Sequence, residues 1–310
     1  MGNDPLTELT RKLRDAVETR LAALMPPADQ SPANLHCAMR YTLLAPGKRA
    51  RALLAMLAAK DLGRDRDATA AISPACALEM VHTASLILDD LPAMDNASLR
   101  RGLPANHMLF GEATAILAAI GLLNRAFGVI AEDASLGAAV RVRLADILSR
   151  SVGSDGLVAG QELDLKWSPA GATRLDVELV HARKTAALFS AAAEMGAVVA
   201  GAGEHDLRLM RDFGMKLGLA FQILDDLLDA TASRESAGKD VAQDGGKPSL
   251  VLSIGLEAAR DEAQIYIDEA DRLIRARCGD GGALRRFAMT LIAGLELRLE
   301  PPREMREMHG

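Results

Sequence analysis

Apolar residues recur at three- and four-residue spacing through most of this sequence, and no run alternates apolar with polar residues between turn signals. The pattern predicts helices near 5–24, 31–45, 49–60, 68–91, 111–131, 136–152, 174–200, 205–230, 248–277 and 282–298. Punctuators fall between them: Pro26-Pro27, Pro46-Gly47, Gly102 to Pro104, Ser168 to Gly171, Gly201 to Gly203, and Gly245-Gly246 with Pro248. Composition agrees, since aromatics are only 3% and Ala and Leu are abundant. No polar linker divides the 310 residues, and Ala232 to Lys247 reads as a loop. The expectation is an all-α, single-domain bundle over 1–310, with about ten or more helices around a central active-site cavity.

The runs Ala75–Leu88 and Thr185–Gly203 carry few charges, so both helices belong inside the bundle. Polar groups on such helices need a reason to be there. The net charge of −6 argues against a nucleic-acid partner, which needs a basic surface. Three unspaced cysteines read as free thiols in a reducing cytoplasm. The N-terminus is too charged for a secretory signal, and no uninterrupted run of 18 apolar residues predicts a membrane span.

Two acidic clusters stand out. SLILDDLPAMD places Asp89, Asp90 and Asp95 at the end of one apolar helix, and FQILDDLLD places Asp225, Asp226 and Asp229 in the same relation to another. Asp225 and Asp229 share a helix face, with Gln222 one turn earlier on nearly that face. Pro92 breaks the first helix, which lets Asp95 swing back beside Asp89. Acidic groups at a helix C-terminus oppose the macrodipole, and bound cations offset that cost. Magnesium suits such clusters, because it takes carboxylate, water and phosphate oxygens together. Two facing clusters would grip a diphosphate through metal ions.

Basic groups complete the pattern. Ala45-Pro46-Gly47-Lys48-Arg49-Ala50-Arg51 is a turn opening a helix, where an anion is favoured, and Lys48 and Arg51 can point together. Arg100 and Arg101 follow the first acidic cluster, and guanidinium groups match phosphate geometry. Lys184 interrupts an apolar helix and needs a buried partner, while Lys239 and Lys247 lie on the loop. His82 stands two turns before Asp89 on the same side.

With these residues assembled, the chain resembles the trans-isoprenyl diphosphate synthases, the polyprenyl synthetase family, from about residue 36 to 260. The matching stretches are 45–51 (APGKRAR), 78–95 (LEMVHTASLILDDLPAMD), 99–102 (LRRG), Gly160-Gln161, Lys184-Thr185, 221–229 (FQILDDLLD) and Gly238-Lys239-Asp240. Within the family it is most similar to bacterial geranylgeranyl diphosphate synthases. The resemblance implies a homodimeric prenyltransferase joining isopentenyl diphosphate to an allylic diphosphate, with about three magnesium ions per site acting as Lewis acids. It implies that Asp89, Asp95, Asp225 and Asp229 bind the metal, with Asp90 and Asp226 in the same catalytic set. Arg100, Lys184 and Lys239 would contact the allylic diphosphate. Lys48, Arg51, His82 and Arg101 would hold isopentenyl diphosphate, and Thr185 and Gln222 would lie beside the allylic cation. The chain departs from the usual pattern at Ala52, Asn96, Ala105 and Lys247-Pro248-Ser249.

A terpene cyclase would need an Asn/Ser/Glu triad in place of Asp225 to Asp229, and a non-catalytic subunit would lose an aspartate motif. Product length rests on Ala84 and Ser85. Ser85 lies one turn below Asp89, while the resemblance implicates both positions. Both are small and leave a tunnel open, which favours a C20 product over the C15 alternative.

Overall fold

The computed structural model describes residues 4–64, 67–168, 173–236 and 248–299. They fall into two compact units. The first comprises 1–149 with 192–207, and the second 150–191 with 208–310. The described chain is helical almost throughout, as the periodicity predicts. The one sheet among the described residues is an antiparallel pair, β1 (Leu99–Arg100) and β2 (Leu103–Pro104).

In the first unit, helix α1 (Pro5–Leu24) starts with Pro5 in its first turn and Asp4 as N-cap, accepting from Thr7 N–H at 3.3 Å. Next come α2 (Ala33–Leu43), α3 (Ala50–Leu62), a short 3₁₀ turn (Ala68–Ala71) and α4 (Ile72–Asp89). Helices α5 (Asn106–Phe110), α6 (Glu112–Glu132) and α7 (Ala138–Val152) follow the hairpin. Buried residues run unbroken along α3 from Ala52 to Ala59 and along α4 from Ser73 to Val81, so both are core helices.

Helices 68–89 and 112–132 are nonetheless long and apolar enough, by length and composition, to cross a membrane. An uninterrupted-run criterion passes over them because polar residues such as Glu79 and His82 are interspersed. In the first, 72% of the apolar window is buried inside the protein, which is what a core helix shows. The second differs, because Ile116, Leu117 and Ile120 of α6 face outward.

The second unit holds α8 (Leu157–Leu165), α9 (Arg174–His181), a π-helical turn (Ala182–Ala186), the start of α10 (Ala187–Val199) and most of α11 (Glu204–Ser236). It ends with α12 (Leu250–Ile254), α13 (Leu256–Cys278) and α14 (Ala283–Leu299). Helix α9 opens with a capping box between Thr173 and Asp176. Gly255, at φ 87°, separates α12 from α13 where the periodicity predicts one continuous helix. Helices α5 and α8 are too short to show a clear period, and the sequence reading passes over both.

One stripe on α11 organises this unit. A side chain at Gly214 would meet the Phe189 carbonyl oxygen at 2.5 Å, and one at Gly218 would meet Ala186 Cα at 2.5 Å. The two glycines, four residues apart, let α11 approach the 186–190 backbone closely. Ser190 Oγ donates to the Arg211 carbonyl at 2.9 Å on the same contact. One turn further along lies Gln222.

Candidate active site

One set of the candidate residues lies in the first unit. Helix α4 ends at Asp89, and the chain then turns so that Asp95 N–H donates to the Asp89 carbonyl at 2.9 Å. Asn96 takes a left-handed φ of 49° and donates to the Leu91 carbonyl at 3.0 Å. The swing expected from Pro92 is therefore present. Asp90, 1% exposed, accepts from Arg100 Nε at 2.9 Å and also from its Nη2.

The hairpin supplies the bases. Its turn residues Arg101 and Gly102 have φ of 53° and 77°, as a type I′ turn requires, which places Arg100 on a strand and Arg101 at the bend. Burial works against the Arg100 charge, but Asp90, Asp89 and Asp95 outweigh it and hold the guanidinium more firmly protonated than usual. Asp89, Asp90, Asp95 and Arg100 are thus one electrostatic group. A recess beside it is lined by Tyr41, Thr42, Asp90, Arg100, Arg101 and Asn106.

A basic corner adjoins this group. Burial pushes Arg51 down to about 10, with Glu79 opposing the shift and Arg101 adding to it, so Arg51 stays cationic at neutral pH. Arg101 is lowered by burial and by Arg49. Its Nη1 reaches the Pro46 carbonyl at 3.4 Å, which ties the hairpin to the basic turn. His82, half-buried, is held well below its ordinary value by burial and then by Arg51, Arg101, Arg49 and Arg100. Lys48 is exposed at the mouth of the turn. Four of the bases named in the sequence, Arg51, His82, Arg100 and Arg101, are therefore brought together. Ala84 is buried, and Ser85 turns its hydroxyl back onto the His82 carbonyl at 2.9 Å.

Another set lies in the second unit. Lys184 lies in the π turn and pairs with Asp164 of α8, the partner that its apolar surroundings demand. Thr185 Oγ1 donates to Gln222 Oε1 at 2.6 Å, and Gln222 Nε2 donates to Asp226 Oδ1 at 2.9 Å. Asp226 Oδ2 accepts from Leu250 N–H at 3.1 Å and lies 3.3 Å from His181 Nε2. A π turn of this kind is common at functional positions, because it aims side chains off the regular helical face.

One expectation is corrected. Helix α11 continues to Ser236, so Asp225, Asp226 and Asp229 lie ahead of its last turn and the macrodipole argument applies only to the first cluster. Gln222, one turn before Asp225, also donates to Asp226 four positions on. Lys239 lies outside the described residues, as does the 237–247 part of the loop. The sequence reading missed Glu79, Asp164 and His181. Glu79 was findable by the rule applied to Lys184, being a single acid on an apolar helix.

The carboxylates fit a hard divalent cation. Among the described residues no group of three or more His, Cys, Asp or Glu side chains forms a ready-made cage. Magnesium does not require one, since it is commonly held by one or two carboxylates with water and phosphate oxygens. Asp95 drawn back to Asp89, with Arg100 beside both, is that kind of partial donor set.

An all-helical chain with two aspartate clusters, a basic turn and an arginine hairpin defines a class, and comparison agrees. Residues 32–274 match the Polyprenyl synthetase family, and the chain belongs to that family. It is 41% identical over 275 residues to a geranylgeranyl diphosphate synthase of Pseudescherichia vulneris, covering 89% of this chain and 88% of that one. It is also 41% identical over 288 residues to a farnesyl diphosphate synthase of Geobacillus stearothermophilus, covering 92% and 96%. A crystal structure of a geranyltransferase from Helicobacter pylori, complexed with magnesium and isoprenyl diphosphate, superposes with a TM-score of 0.81 at 31% identity, covering 96% of this chain and 99% of that one.

Proposed function

We propose that this prenyltransferase makes all-trans geranylgeranyl diphosphate, a C20 product, from isopentenyl diphosphate and allylic diphosphates with release of diphosphate. The observation that carries the reading is the corner where Asp89, Asp90, Asp95 and Arg100 form one group beside Arg51, His82 and Arg101. It offers carboxylates for a metal-bound diphosphate and, separately, bases for a second one.

In this reading Asp89, Asp95, Asp225 and Asp229 hold magnesium, about three ions, which when bound neutralises charge on the allylic diphosphate as its C–O bond breaks. Arg100, Lys184 and Lys239 hold the same diphosphate. Lys48, Arg51, His82 and Arg101 hold isopentenyl diphosphate so that its alkene faces the allylic carbon. His82 acts there as a neutral hydrogen-bond donor, because burial and then the surrounding guanidinium groups disfavour its charge. Thr185 and Gln222, fixed to each other, set a polar wall beside the reacting carbon. The alkene attacks, a new C–C bond forms, and a proton is lost to the departing diphosphate. Asp90 and Asp226 serve as anchors, Asp90 for Arg100 and Asp226 for Gln222.

The C20 assignment rests on small residues below Asp89, with Ala84 in the lead because it is buried in the helix core. Farnesyl diphosphate (C15) is the second reading, favoured by the farnesyl diphosphate synthase of equal identity. Chromatography of products from labelled isopentenyl diphosphate and each allylic primer separates the two. Wild type is expected to extend farnesyl diphosphate to C20. Ala84→Tyr, whose ring enters about 7.5 Å along the helix from Asp89, is expected to stop at C15. A wild type that stops at C15 replaces the C20 assignment with the second reading.

A further inference from the structure

Arg49 sits between Lys48 and Ala50 and, by sequence alone, is one more base of the turn. Its environment is different. The residue is 3% exposed. Its Nε and Nη2 donate to the two carboxylate oxygens of Glu18 on α1, at 2.7 and 3.0 Å. Nη1 reaches Glu79 on α4 at 3.4 Å. Nη2 also donates to the carbonyls of Leu43 and Ala45, at 2.8 and 2.9 Å. The other oxygen of Glu79 accepts from Ala52 N–H at 3.3 Å, in the first turn of α3. Burial opposes the Arg49 charge, and the two carboxylates more than restore it.

The backbone at this point is held off its relaxed form. Arg49 has φ 51° and ψ 36°, a left-handed conformation that a non-glycine residue keeps only when its surroundings impose it. Its own side chain supplies those surroundings. The guanidinium grips the chain ahead of Lys48 through two carbonyls, and through Glu79 it grips the turn of α3 that carries Arg51. A bidentate guanidinium–carboxylate pair with Glu18 then fixes the whole arrangement to α1. Glu18 lies outside the residues that match the family, 32–274.

We propose that Arg49 is a positioning residue that aims Lys48 and Arg51 at the diphosphate of isopentenyl diphosphate, with Glu18 and Glu79 as its two anchors. This rests on the reading that the basic turn holds that substrate. It extends the reading to α1, which carries none of the residues that touch substrate. A buried ion pair kept for stability alone makes a different prediction: its loss lowers the melting temperature, without favouring one substrate over the other.

The test is steady-state kinetics of the full chain with magnesium, varying isopentenyl diphosphate and farnesyl diphosphate separately, with melting temperatures alongside. Glu18→Gln is the main variant, because Glu18 is partly exposed and its amide is isosteric. It is expected to raise KM for isopentenyl diphosphate by about three- to tenfold, leaving KM for farnesyl diphosphate and kcat within about twofold. Arg49→Lys keeps the charge but loses the fork, and is expected to act in the same direction and more strongly. In a Lys48→Ala background the added effect of Glu18→Gln should shrink below about twofold, because the two changes act on one contact. Equal increases in both KM values, or full additivity with Lys48→Ala, would overturn the proposal. Should Lys48→Ala alone leave KM for isopentenyl diphosphate unchanged, the substrate assignment of the turn fails, which is a separate outcome.

Discussion

His82 illustrates how one side chain's neighbours decide its chemistry. Two turns before Asp89 it looks like a group aimed at metal or acid, yet the charges around it are guanidinium groups. Its folded value lies well below the ordinary 6.5, so the native state resists protonation where the unfolded chain accepts it. The sign follows: this group's contribution to stability is present above about pH 6.5 and is lost as pH falls from there toward the folded value. Melting temperatures of the substrate-free protein from pH 7.5 to 5.5 should fall more steeply for wild type than for His82→Gln. Parallel curves would show that His82 is not held neutral. The paired aspartates make the same point about neighbours. Asp90 accepts from Arg100, and Asp226 accepts from Gln222 and from Leu250 N–H. Sequence names the acids, and packing shows which partners Asp90 and Asp226 take.

At the level of elements, the long helices were legible because each carries several turns of apolar period, as in α1, α6 and α11. The π turn at 182–186 was not, because a one-residue slip leaves the apolar pattern of 174–200 almost unchanged. The hairpin was hidden for another reason: strands of two residues show no alternation, and its signal lies in the Arg101-Gly102 turn alone. The turn at 90–96 was legible, since Pro92 forbids continuing the helix. The α11 stripe offers a test of how packing supports the site. Gly218→Ala would place a methyl 2.5 Å from Ala186 Cα, a backbone atom that cannot rotate away. Helix propensity gains about 1 kcal/mol. Overpacking costs about 1–3 kcal/mol. The melting temperature should fall, and kcat should fall with it, because Thr185 and Gln222 are displaced from each other. An unchanged kcat in a folded variant would show that the Thr185–Gln222 contact does not depend on this approach.

At the scale of the whole molecule, the first acidic cluster and the basic turn lie in one unit, and the second cluster with Lys184 lies in the other. The aspartate motifs and bases were readable as residue types at fixed spacing. The anchors Glu18 and Asp164 were not legible, because their meaning lies in partners 31 and 20 residues away. Helix α6 adds a surface question. We propose that its outward Ile116, Leu117 and Ile120 meet a second copy of the chain, since exposed aliphatic residues grouped on one helix are costly in water. Light scattering after size exclusion should give a dimer for wild type and a shift toward monomer for Leu117→Glu. A monomeric wild type would remove that role.

The most direct test of the account is the rate of product formation from isopentenyl and farnesyl diphosphates with magnesium, compared between wild type, Asp89→Ala and Asp225→Ala. Charge stabilisation by groups of this kind is commonly worth several kcal/mol, so each variant should lose about 10²–10³-fold or more in kcat while still folding. Near-normal turnover in either variant would contradict the assignment of both acidic clusters to the metal-bound diphosphate.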